Sequence, residues 1–500
     1  MNIKKHLRVI RKKLFTTYEY DKSSLLTSMI QIDEMKSKLL GMKSKLLGMK
    51  SELRGVKPEL LDMKFELLDI KSELLDVKSE IKNQNINIEK LIQLSINNHR
   101  VSNSTFRYIK KKNEKICVLF LVNNLNAWYA IDELVRTLTL QYEFEVIVAS
   151  LNKRFPGQDD YTGEEDVHLF LEEKNIKHIR LGMQDSYQAL DIIMSISPDV
   201  IFRQSQWDPD YPPALSSENL HFTKLAIISY EICNIVKNTK YIDGIKDSAT
   251  DSLFHRRCWR VYCATDYVKE NAVNNGSLGG KQFKVVGHPK IDYLLNVVPH
   301  WPFEYKGKCK ILWSPHHSIG RGWSDFGMFH GIWKDMIILA HEMDYIDFVF
   351  CPHPALVTLL KGNHSPMAKE DYEEFLFTWN NMKNCHQYYG ADYAEIAAAS
   401  DLIITDGISM LMECQLLNKE IIFMERDGHV PFNNIGNILS SGYHVTSSVD
   451  GVQNLILDYM SDNLNSLVNH QKSNIKELFP NRMAIINIID DLRESFLSNE

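Results

Sequence analysis

From residue 115 onward, short apolar runs alternate with segments whose apolar positions recur at helical spacing. The first run, ICVLFLV at 116–122, has the length of a buried strand, and a helical pattern at 129–140 follows it. Strands that alternate with helices at this spacing are typical of βαβ units in a parallel sheet. The same pattern predicts helices at 167–174 and 186–196 and strands at 144–149, 199–202, 224–228, 261–264 and 284–286.

A second series of the same kind begins after a proline-containing break, VPHWP at 298–302. The second series opens with KCKILWSP and predicts a helix at 329–341 and strands at 348–351, 402–404 and 421–423. We therefore expect an α/β fold with two tandem Rossmann-like domains, at 114–300 and 301–495. Parallel sheets of this kind bind ligands at the carboxyl ends of their strands, so a cleft is expected between the domains. This two-domain plan is called GT-B.

Residues 35–83 contain a seven-residue repeat with apolar residues at two positions of every heptad. With Met35 at position d, leucine or isoleucine takes every position a, and methionine, valine or isoleucine takes every position d. Lysine at the e positions and glutamate at the later g positions suit ion pairs between helices. We predict an α-helical coiled coil at 31–92 that joins two or three copies, then a polar linker at 93–113. A single long helix or a loose spacer is the alternative, because three glycines and Pro58 weaken the helix.

The first 30 residues form a separate basic segment. Its start, MNIKKHLRVIRKKLF, interleaves six lysine and arginine residues with apolar ones. Two interpretations are open, a basic amphipathic helix that contacts an anionic membrane surface and a solvated terminus without a partner.

Composition narrows the class of protein. The formal net charge of -7 argues against a general nucleic-acid binder. The apolar runs are of strand length and too short to cross a bilayer, and the N-terminus lacks the apolar core of a secretory signal. The eight cysteines form no CxxC pair, so neither a zinc site nor a disulfide framework is predicted. We expect a protein of the reducing cytoplasm, with peripheral contact at the inner face of the cell membrane if the basic segment binds lipid.

Residues that could bind a substrate or take part in catalysis follow several predicted strands of the second half. One strand is followed by Gly287-His288-Pro289-Lys290-Ile291-Asp292, a second by Pro315-His316-His317, and a third by Cys351-Pro352-His353-Pro354. Proline after the histidine stops the strand and leaves the imidazole at the sheet edge. Histidine donates hydrogen bonds to phosphoryl oxygens or protonates a leaving group near neutral pH.

The fourth strand end, ASDLIITDGISMLMECQLLNKEIIFME, reads as strand, turn, helix and strand. Thr405, Asp406 and Gly407 form the turn, and the helix start after it aims free N–H groups, with the Ser409 hydroxyl, at a ligand above the strand. A helix N-terminus of this kind suits a phosphate. One turn later, Glu413 can accept hydrogen bonds from the vicinal hydroxyls of a sugar, as acids do in nucleotide-binding α/β folds. An ordinary βαβ unit with a glycine turn is the alternative.

Together these segments resemble the CDP-glycerol glycerophosphotransferases, the teichoic-acid and capsule polymerases, over roughly residues 115–492. The segment from Gly287 to Asp292 is similar to their G-x-P-R-x-D element, ILWSPHHS to L-Y-A-P-T, the His353-Pro354 pair to H-P, and DLIITDGISMLMEC to D-x-x-I-T-D-Y-S-S-x-x-x-D. UDP-N-acetylglucosamine 2-epimerases share a related segment that also ends in a ribose-binding glutamate.

The resemblance implies roles for the residues at these strand ends. His353 would contact the donor phosphate, Ser409 and the helix start would hold the pyrophosphate, and Glu413 would bind the ribose. It also implies an acceptor domain at 114–300 and a nucleotide-donor domain at 301–495. The remaining candidates for catalysis are His316, His317 and Glu231, and those for substrate binding are Thr405, Asp406, Gly407, Met410, Pro315, Lys290 and Asp292.

The chain also departs from this family. The family carries a W-H-G-T element whose histidine is the proposed base, whereas the comparable strand end here reads ISYEIC at 228–233, with Glu231 as a substitute. Lys290 replaces an arginine, which keeps the charge and loses the bidentate geometry. His316 and His317 replace a threonine-containing turn, so a change of donor is conceivable.

The resemblance implies a transferase that moves glycerol phosphate, or a similar alcohol phosphate, from a CDP-linked donor to a hydroxyl of a cell-surface glycan and releases CMP. No cofactor and no metal ion are expected, because no aspartate cluster suggests a metal site. A GT-B glycosyltransferase that uses a UDP- or CMP-sugar is the first alternative. An inactive coiled-coil assembly protein is the second, since fold alone does not decide function.

Overall fold

The computed structural model describes residues 3–52, 67–82, single helical positions between 84 and 98, and 115–497 apart from 155–157, 238–246, 305–306, 320–323 and 363–364. The chain divides into two compact units, residues 1–110 and 111–500.

The N-terminal unit is helical. Helix α1 spans Ile3–Glu52, and residues 67–82 form helix α2. Between 35 and 49, and again in α2, the a and d positions are partly covered, whereas nearly all other positions are exposed. The heptad pattern thus forms one apolar stripe along each helix, as predicted. The stretch 53–66, with Pro58, lies outside the described residues, and pairing between copies remains a prediction.

The second unit begins with a seven-stranded parallel sheet. Its strands stand in the order β3-β2-β1-β4-β5-β6-β7. Their bounds are β1 Ile116–Val122, β2 Phe144–Ser150, β3 Ile179–Arg180, β4 Val200–Arg203, β5 Lys224–Ile228, β6 Arg260–Cys263 and β7 Phe283–Val285. The α-helices of this half are α3 Asp132–Thr139, α4 Glu164–Glu173, α5 Ser186–Ile196, α6 Ser217–Leu220, α7 Leu253–Arg257, α8 Asp266–Asn275 and α9 Pro289–Asn296.

A six-stranded parallel sheet follows, in the order β10-β9-β8-β11-β12-β13. Its strands are β8 Lys310–Ser314, β9 Asp347–Phe350, β10 Cys385–Gln387, β11 Leu402–Thr405, β12 Glu420–Met424 and β13 His444–Thr446. The helices of this half are α10 Phe329–Glu342, α11 Pro354–Lys361, α12 Lys369–Asn381, α13 Tyr393–Ala399, α14 Ile408–Leu416, α15 Asn434–Leu439, α16 Val449–Met460, α17 Val468–Leu478 and α18 Ala484–Leu497.

Both sheets are covered on two faces, which explains their uninterrupted apolar strands. In β1, Val118 and Phe120 join one core layer, whereas Leu119 and Leu121 join the layer on the opposite face. Strand β8 repeats this arrangement with residues 311–313, which alternate between two layers of the second sheet. The predicted α/β fold with two Rossmann-like sheets is therefore confirmed.

Differences from the predicted elements occur mainly at the sheet edges. Strands β3, β10 and β13 were not predicted, because each has only two or three residues and mixes polar with apolar side chains. The helix predicted at 129–140 is divided into a 3-10 turn, Leu125–Ala130, and α3.

The last helix joins the first sheet. Ile488, Ile489 and Leu492 of α18 lie in the same core layer as β1. Buried Asp491 accepts hydrogen bonds from Arg260 Nε at 2.9 Å and from the Tyr262 hydroxyl at 2.8 Å. The sequence assigned this helix to the 301–495 domain because it follows that domain along the chain. Its apolar stripe is instead covered by the first half.

No helix in the described part of the chain combines the length and the apolar character that crossing a membrane requires.

Candidate functional site

A cleft of about 590 Å³ lies where the strands of the second sheet end. Segments after β8, β9, β10 and β11 line the cleft, together with residues that follow strands of the first sheet. Of the residues predicted from sequence, the lining includes Lys290, Pro315, His316, His353, Gly407, Ser409, Met410 and Glu413. Four strand ends that are far apart in sequence therefore meet in one cavity.

His353 begins helix α11, with Pro354 as the first helical residue. The Ala355 backbone N–H donates to His353 Nδ1 at 3.1 Å. His288 caps α9 in the same way, with the Lys290 N–H at 3.2 Å from Nδ1. A nitrogen that accepts from an N–H carries no proton, so in the neutral imidazole the proton sits on Nε2. In His288 this Nε2 donates to the Ser229 carbonyl at 2.9 Å.

His316 has the same tautomer as His353. The Ser318 backbone N–H donates to His316 Nδ1 at 3.3 Å, and the Ser318 hydroxyl lies 2.8 Å from it. The His317 ring lies between the other two, with ring centroids 4.4 Å from His316 and 4.3 Å from His353. His317 Nδ1 is buried and has no hydrogen-bond partner among the described residues.

Burial keeps this histidine cluster, His316, His317 and His353, neutral near pH 7. It lowers the pKa of His317 to about 4. It also lowers the pKa values of His316 and His353 well below the usual range, and the neighbouring imidazoles lower these two values further. Each ring offers one nitrogen within 4.8 Å of the others. Because His316 and His353 carry protons on Nε2, they present donors rather than lone pairs, which suits an anion better than a metal ion.

Asp406 holds the loop that carries the histidine cluster. Its two carboxylate oxygens accept from the backbone N–H of His316 at 2.5 Å and from that of Met328 at 2.6 Å. Burial raises the pKa of Asp406 to about 7, although these N–H groups oppose the rise. Thr405 is also buried, and its hydroxyl donates to the Ser314 carbonyl at 2.8 Å. Both residues were predicted to bind substrate, and both lie outside the cleft lining as supports of the loop.

Helix α14 begins at the cleft. Gly407, Ser409 and Met410 line it, and the N–H groups of the first helical turn lack acceptors within the helix. Further along α14, Glu413 Oε1 lies 2.6 Å from Lys290 Nζ, and Oε2 accepts from the Tyr393 hydroxyl. The predicted ribose ligand is therefore already part of a buried network, and each oxygen keeps one further lone pair.

Three other predicted residues lie outside the cleft lining: His317, which packs between His316 and His353, Glu231 and Asp292. Glu231 lines a second cavity of about 570 Å³ at the carboxyl ends of β5 and β6. Burial raises the pKa of Glu231 to about 7, while the positive charge of Lys290 opposes the rise. Asp292 lies on α9, outside the lining of both cavities.

Sequence reasoning missed the aromatic wall of the cleft. Tyr388, Tyr389 and Tyr393 line it directly after β10. Strand β10 has only three residues and therefore shows no apolar run in the sequence. The signal that could have revealed the wall is the pair of tyrosines directly before Gly390. Lys153, beyond β2, also lines the cleft, and burial lowers its pKa to about 8.

Two parallel sheets in the Rossmann strand order, with a cleft at their carboxyl ends, define the GT-B class of fold. The chain matches no family model and no curated protein. Among solved structures, it is similar to the UDP complex of MnaA from S. aureus, with 14% identity and a TM-score of 0.52 over 77% of this chain and 98% of that one. It is also similar to the UDP-GlcNAc 2-epimerase from Neisseria meningitidis bound to UDP-GlcNAc, with 13% identity, a TM-score of 0.50 and coverage of 77% and 100%.

The similar structures also include the wall teichoic acid polymerase TagF, of the family that the sequence motifs resemble. Here the identity is 12% and the TM-score 0.49, over 84% of this chain and 98% of that chain. At 13–14% identity, the MnaA and epimerase structures show a shared fold and no more.

Proposed function

We propose that this protein is a GT-B transferase that moves an alcohol phosphate, such as glycerol phosphate, from a CDP-linked donor to a hydroxyl of a cell-surface glycan. The observation that carries the proposal is the cleft in which the histidine cluster faces the start of α14. Proton donors on Nε2 and free helix N–H groups are both suited to phosphoryl oxygens.

The charges around the cleft suit a diphosphate. Lys153 contributes a positive charge to the lining and Lys290 is paired there with Glu413, whereas His316 and His353 contribute hydrogen bonds without a fixed charge. The sequence motifs resemble those of enzymes that use CDP-glycerol. The UDP bound in the similar MnaA structure and the UDP-GlcNAc bound in the similar Neisseria meningitidis epimerase support a pyrimidine nucleotide in this place.

In the proposed reaction, an acceptor hydroxyl attacks the β-phosphorus of the donor and CMP leaves with the bridging oxygen. His353 and His316 hold the phosphoryl oxygens, and His317 completes the cluster. We assign Glu231 as the candidate base for an acceptor that enters from the second cavity, which Glu231 lines. Its carboxyl lies close enough to Lys290 and Glu413 of the cleft wall to interact with their charges, and with a pKa of about 7 it accepts a proton near neutral pH. Catalysis then depends on positioning and charge stabilisation, with no metal ion or cofactor assigned.

Release of CMP from CDP-glycerol tests the proposal directly. His353→Ala and Ser409→Ala should each abolish release, because they remove a donor to the phosphates. His300→Ala is the matched control, since its side chain is 66% exposed and lies outside the cleft lining. Full activity of the two cleft variants, with all proteins folded, would refute the assignment.

A glycosyltransferase that uses a UDP- or CMP-sugar is the second candidate, favoured by the UDP of the MnaA structure and the UDP-GlcNAc of the epimerase structure. A donor-release assay with CDP-glycerol, CDP-ribitol, UDP-sugars and CMP-sugars separates the two. An inactive assembly protein would bind none of these nucleotides, which calorimetry with CDP and UDP on the full chain would reveal.

The heptad and basic segments add two proposals about assembly. We propose that the chain self-associates through its heptad stripes, and that its basic N-terminus contacts the inner face of the membrane from the cytoplasm. Co-sedimentation with vesicles of anionic lipid, compared with neutral vesicles, tests the second point. Binding that is equal for both lipid compositions, or absent from both, would contradict it.

A further inference from the structure

A group of side chains of the types that ligate metal ions lies away from the cleft lining, and we call it the α4 cluster. It consists of His168 and Glu172 on α4 and His178, which directly precedes the edge strand β3. One nitrogen or oxygen atom from each residue lies within 4.8 Å of the others. The proposed transferase chemistry makes no use of this group.

The His178 ring is oriented by the backbone. Its Nδ1 lies 2.8 Å from the Ile176 carbonyl oxygen. A carbonyl only accepts, so Nδ1 carries the proton and the lone pair of the neutral ring is on Nε2. Histidines that bind metal ions commonly donate their other N–H to a backbone carbonyl, which fixes the tautomer and the ring orientation. This is the opposite arrangement to that of His316 and His353 in the cleft.

His168 Nδ1 lies 2.9 Å from His178 Nε2. Because His178 Nε2 holds a lone pair, the proton between the two rings belongs to His168 Nδ1. A cation can take its place when His168 changes to the neutral tautomer with the proton on Nε2, which frees the Nδ1 lone pair for the metal. Glu172 follows His168 by four residues on the same helix face, and its carboxylate supplies a negative charge. In a tetrahedral zinc site the ligand atoms are roughly 3.3 Å apart, so modest side-chain rotation would bring the three atoms to that spacing.

We propose that His168, Glu172 and His178 bind a Zn²⁺-type divalent cation, with water as the fourth ligand. Two imidazoles and one carboxylate suit zinc, nickel or copper, whereas calcium and magnesium favour sites made of oxygen atoms. The bound ion would tie α4 to β3, an edge strand of only two residues. A hydrogen-bonded histidine pair without a metal is the competing explanation.

Calorimetric titration of the EDTA-treated full chain with Zn²⁺ and with Mg²⁺ tests the α4 cluster. We expect one zinc site that His178→Ala weakens by at least tenfold and that Glu172→Gln, an isosteric change on the surface, also weakens. His353→Ala controls for the histidine cluster of the cleft and should leave this site intact. Circular dichroism checks the fold of each variant.

Titration with Co²⁺ gives a second readout, because nitrogen ligands change the visible absorption of the bound ion. The expected result is a spectrum that His178→Ala removes and His353→Ala keeps. The proposal is overturned if the chain binds no zinc, if Mg²⁺ binds equally well, or if His353→Ala rather than His178→Ala removes binding. None of these measurements depends on transferase activity.

Discussion

Lys290 Nζ lies 2.6 Å from Glu413 Oε1, and both side chains are almost fully buried, with exposed fractions of 5% and 4%. Lys290 belongs to α9, which follows the first sheet, and Glu413 belongs to α14 of the second half. The pair therefore joins the two halves at the wall of the cleft. Removing one member of such a pair leaves a buried charge without its partner.

Lys290→Met should lower the free energy of unfolding by about 3–5 kcal/mol, because Glu413 loses its countercharge. The double variant Lys290→Met/Glu413→Leu should be less destabilised than the sum of the two single variants, because neither member of the pair is left without its partner. Urea unfolding of the four proteins measures this coupling. Additive losses would show that the pair contributes no coupling energy.

Asp406→Asn tests whether Asp406 supports the histidine cluster. An amide oxygen can accept only on one side, so the N–H of His316 or of Met328 loses its acceptor, at a cost of about 1–3 kcal/mol. We expect lower stability and weaker nucleotide binding in the cleft. Asp401→Asn is the matched control, because Asp401 accepts from the Lys310 N–H at 2.8 Å outside the cleft lining. Its amide oxygen can still accept from the Lys310 N–H, so this variant should keep both stability and nucleotide affinity.

The depressed pKa of His317 predicts a loss of stability in acid. The unfolded chain takes up a proton near pH 6.5, whereas burial holds the folded pKa at about 4. Between these values the unfolded state binds more protons, so stability falls as the pH drops from 6.5 to 4, by roughly 3 kcal/mol for this group. His317→Gln should remove that part of the dependence. If the free energy of unfolding falls by the same amount in both proteins as the pH drops from 6.5 to 4, the prediction is contradicted.

Two buried carboxyl groups make the stability depend on pH in the opposite direction. The pKa values of Glu231 and Asp406 are raised to about 7, so the folded state binds more protons than the unfolded state between pH 4 and 7. Their contribution to stability is therefore lost as the pH rises through 7. If Glu231 is the base, the rate should rise with pH over the same interval and Glu231→Gln should flatten the profile. An unchanged profile in Glu231→Gln would remove Glu231 from this role.

Asp392 connects the two halves on another side of the cleft. It accepts from the Tyr129 hydroxyl, and Lys174 Nζ lies 3.7 Å from its Oδ1. Asp392→Ala should weaken nucleotide binding a few-fold and increase the radius of gyration, because the halves separate more readily. Calorimetry and small-angle X-ray scattering measure both effects. Glu395→Ala, one turn further along α13, is the control, and equal effects in both variants would count against a specific contact.

Substitutions at two neighbouring leucines of α1 test self-association. Leu46 occupies position a and is partly covered, whereas Leu47 is 62% exposed. Leu46→Asp should shift the sedimentation coefficient of the full chain towards the monomer, while Leu47→Asp should leave it unchanged. A wild-type chain that sediments as a monomer at all concentrations would refute association.

The sequence alone determined the alternation of strands and helices and the longer strands, although it did not predict the helices α12, α16, α17 and α18. Uninterrupted apolar runs such as 116–122 can be satisfied only in a sheet covered on both faces, and the heptad repeat dictates a helix with one apolar stripe. The position of the histidines at the ends of β8 and β9 was predictable, because the neighbouring proline ends each strand. The predicted cleft followed from the parallel topology, which brings carboxyl ends of strands to one edge.

Only the tertiary structure decided which of these residues face the cleft. In the sequence, Asp406 and Thr405 could not be distinguished from residues that bind a ligand. In the structure their side chains form hydrogen bonds with the segment that follows β8 instead, because a turn residue can face either the ligand or a neighbouring loop. The Lys290–Glu413 pair joins residues 123 positions apart, and the α18 stripe is covered by the first sheet rather than by its neighbours in the chain. Contacts of this kind depend on how distant elements pack, which local pattern and spacing do not encode.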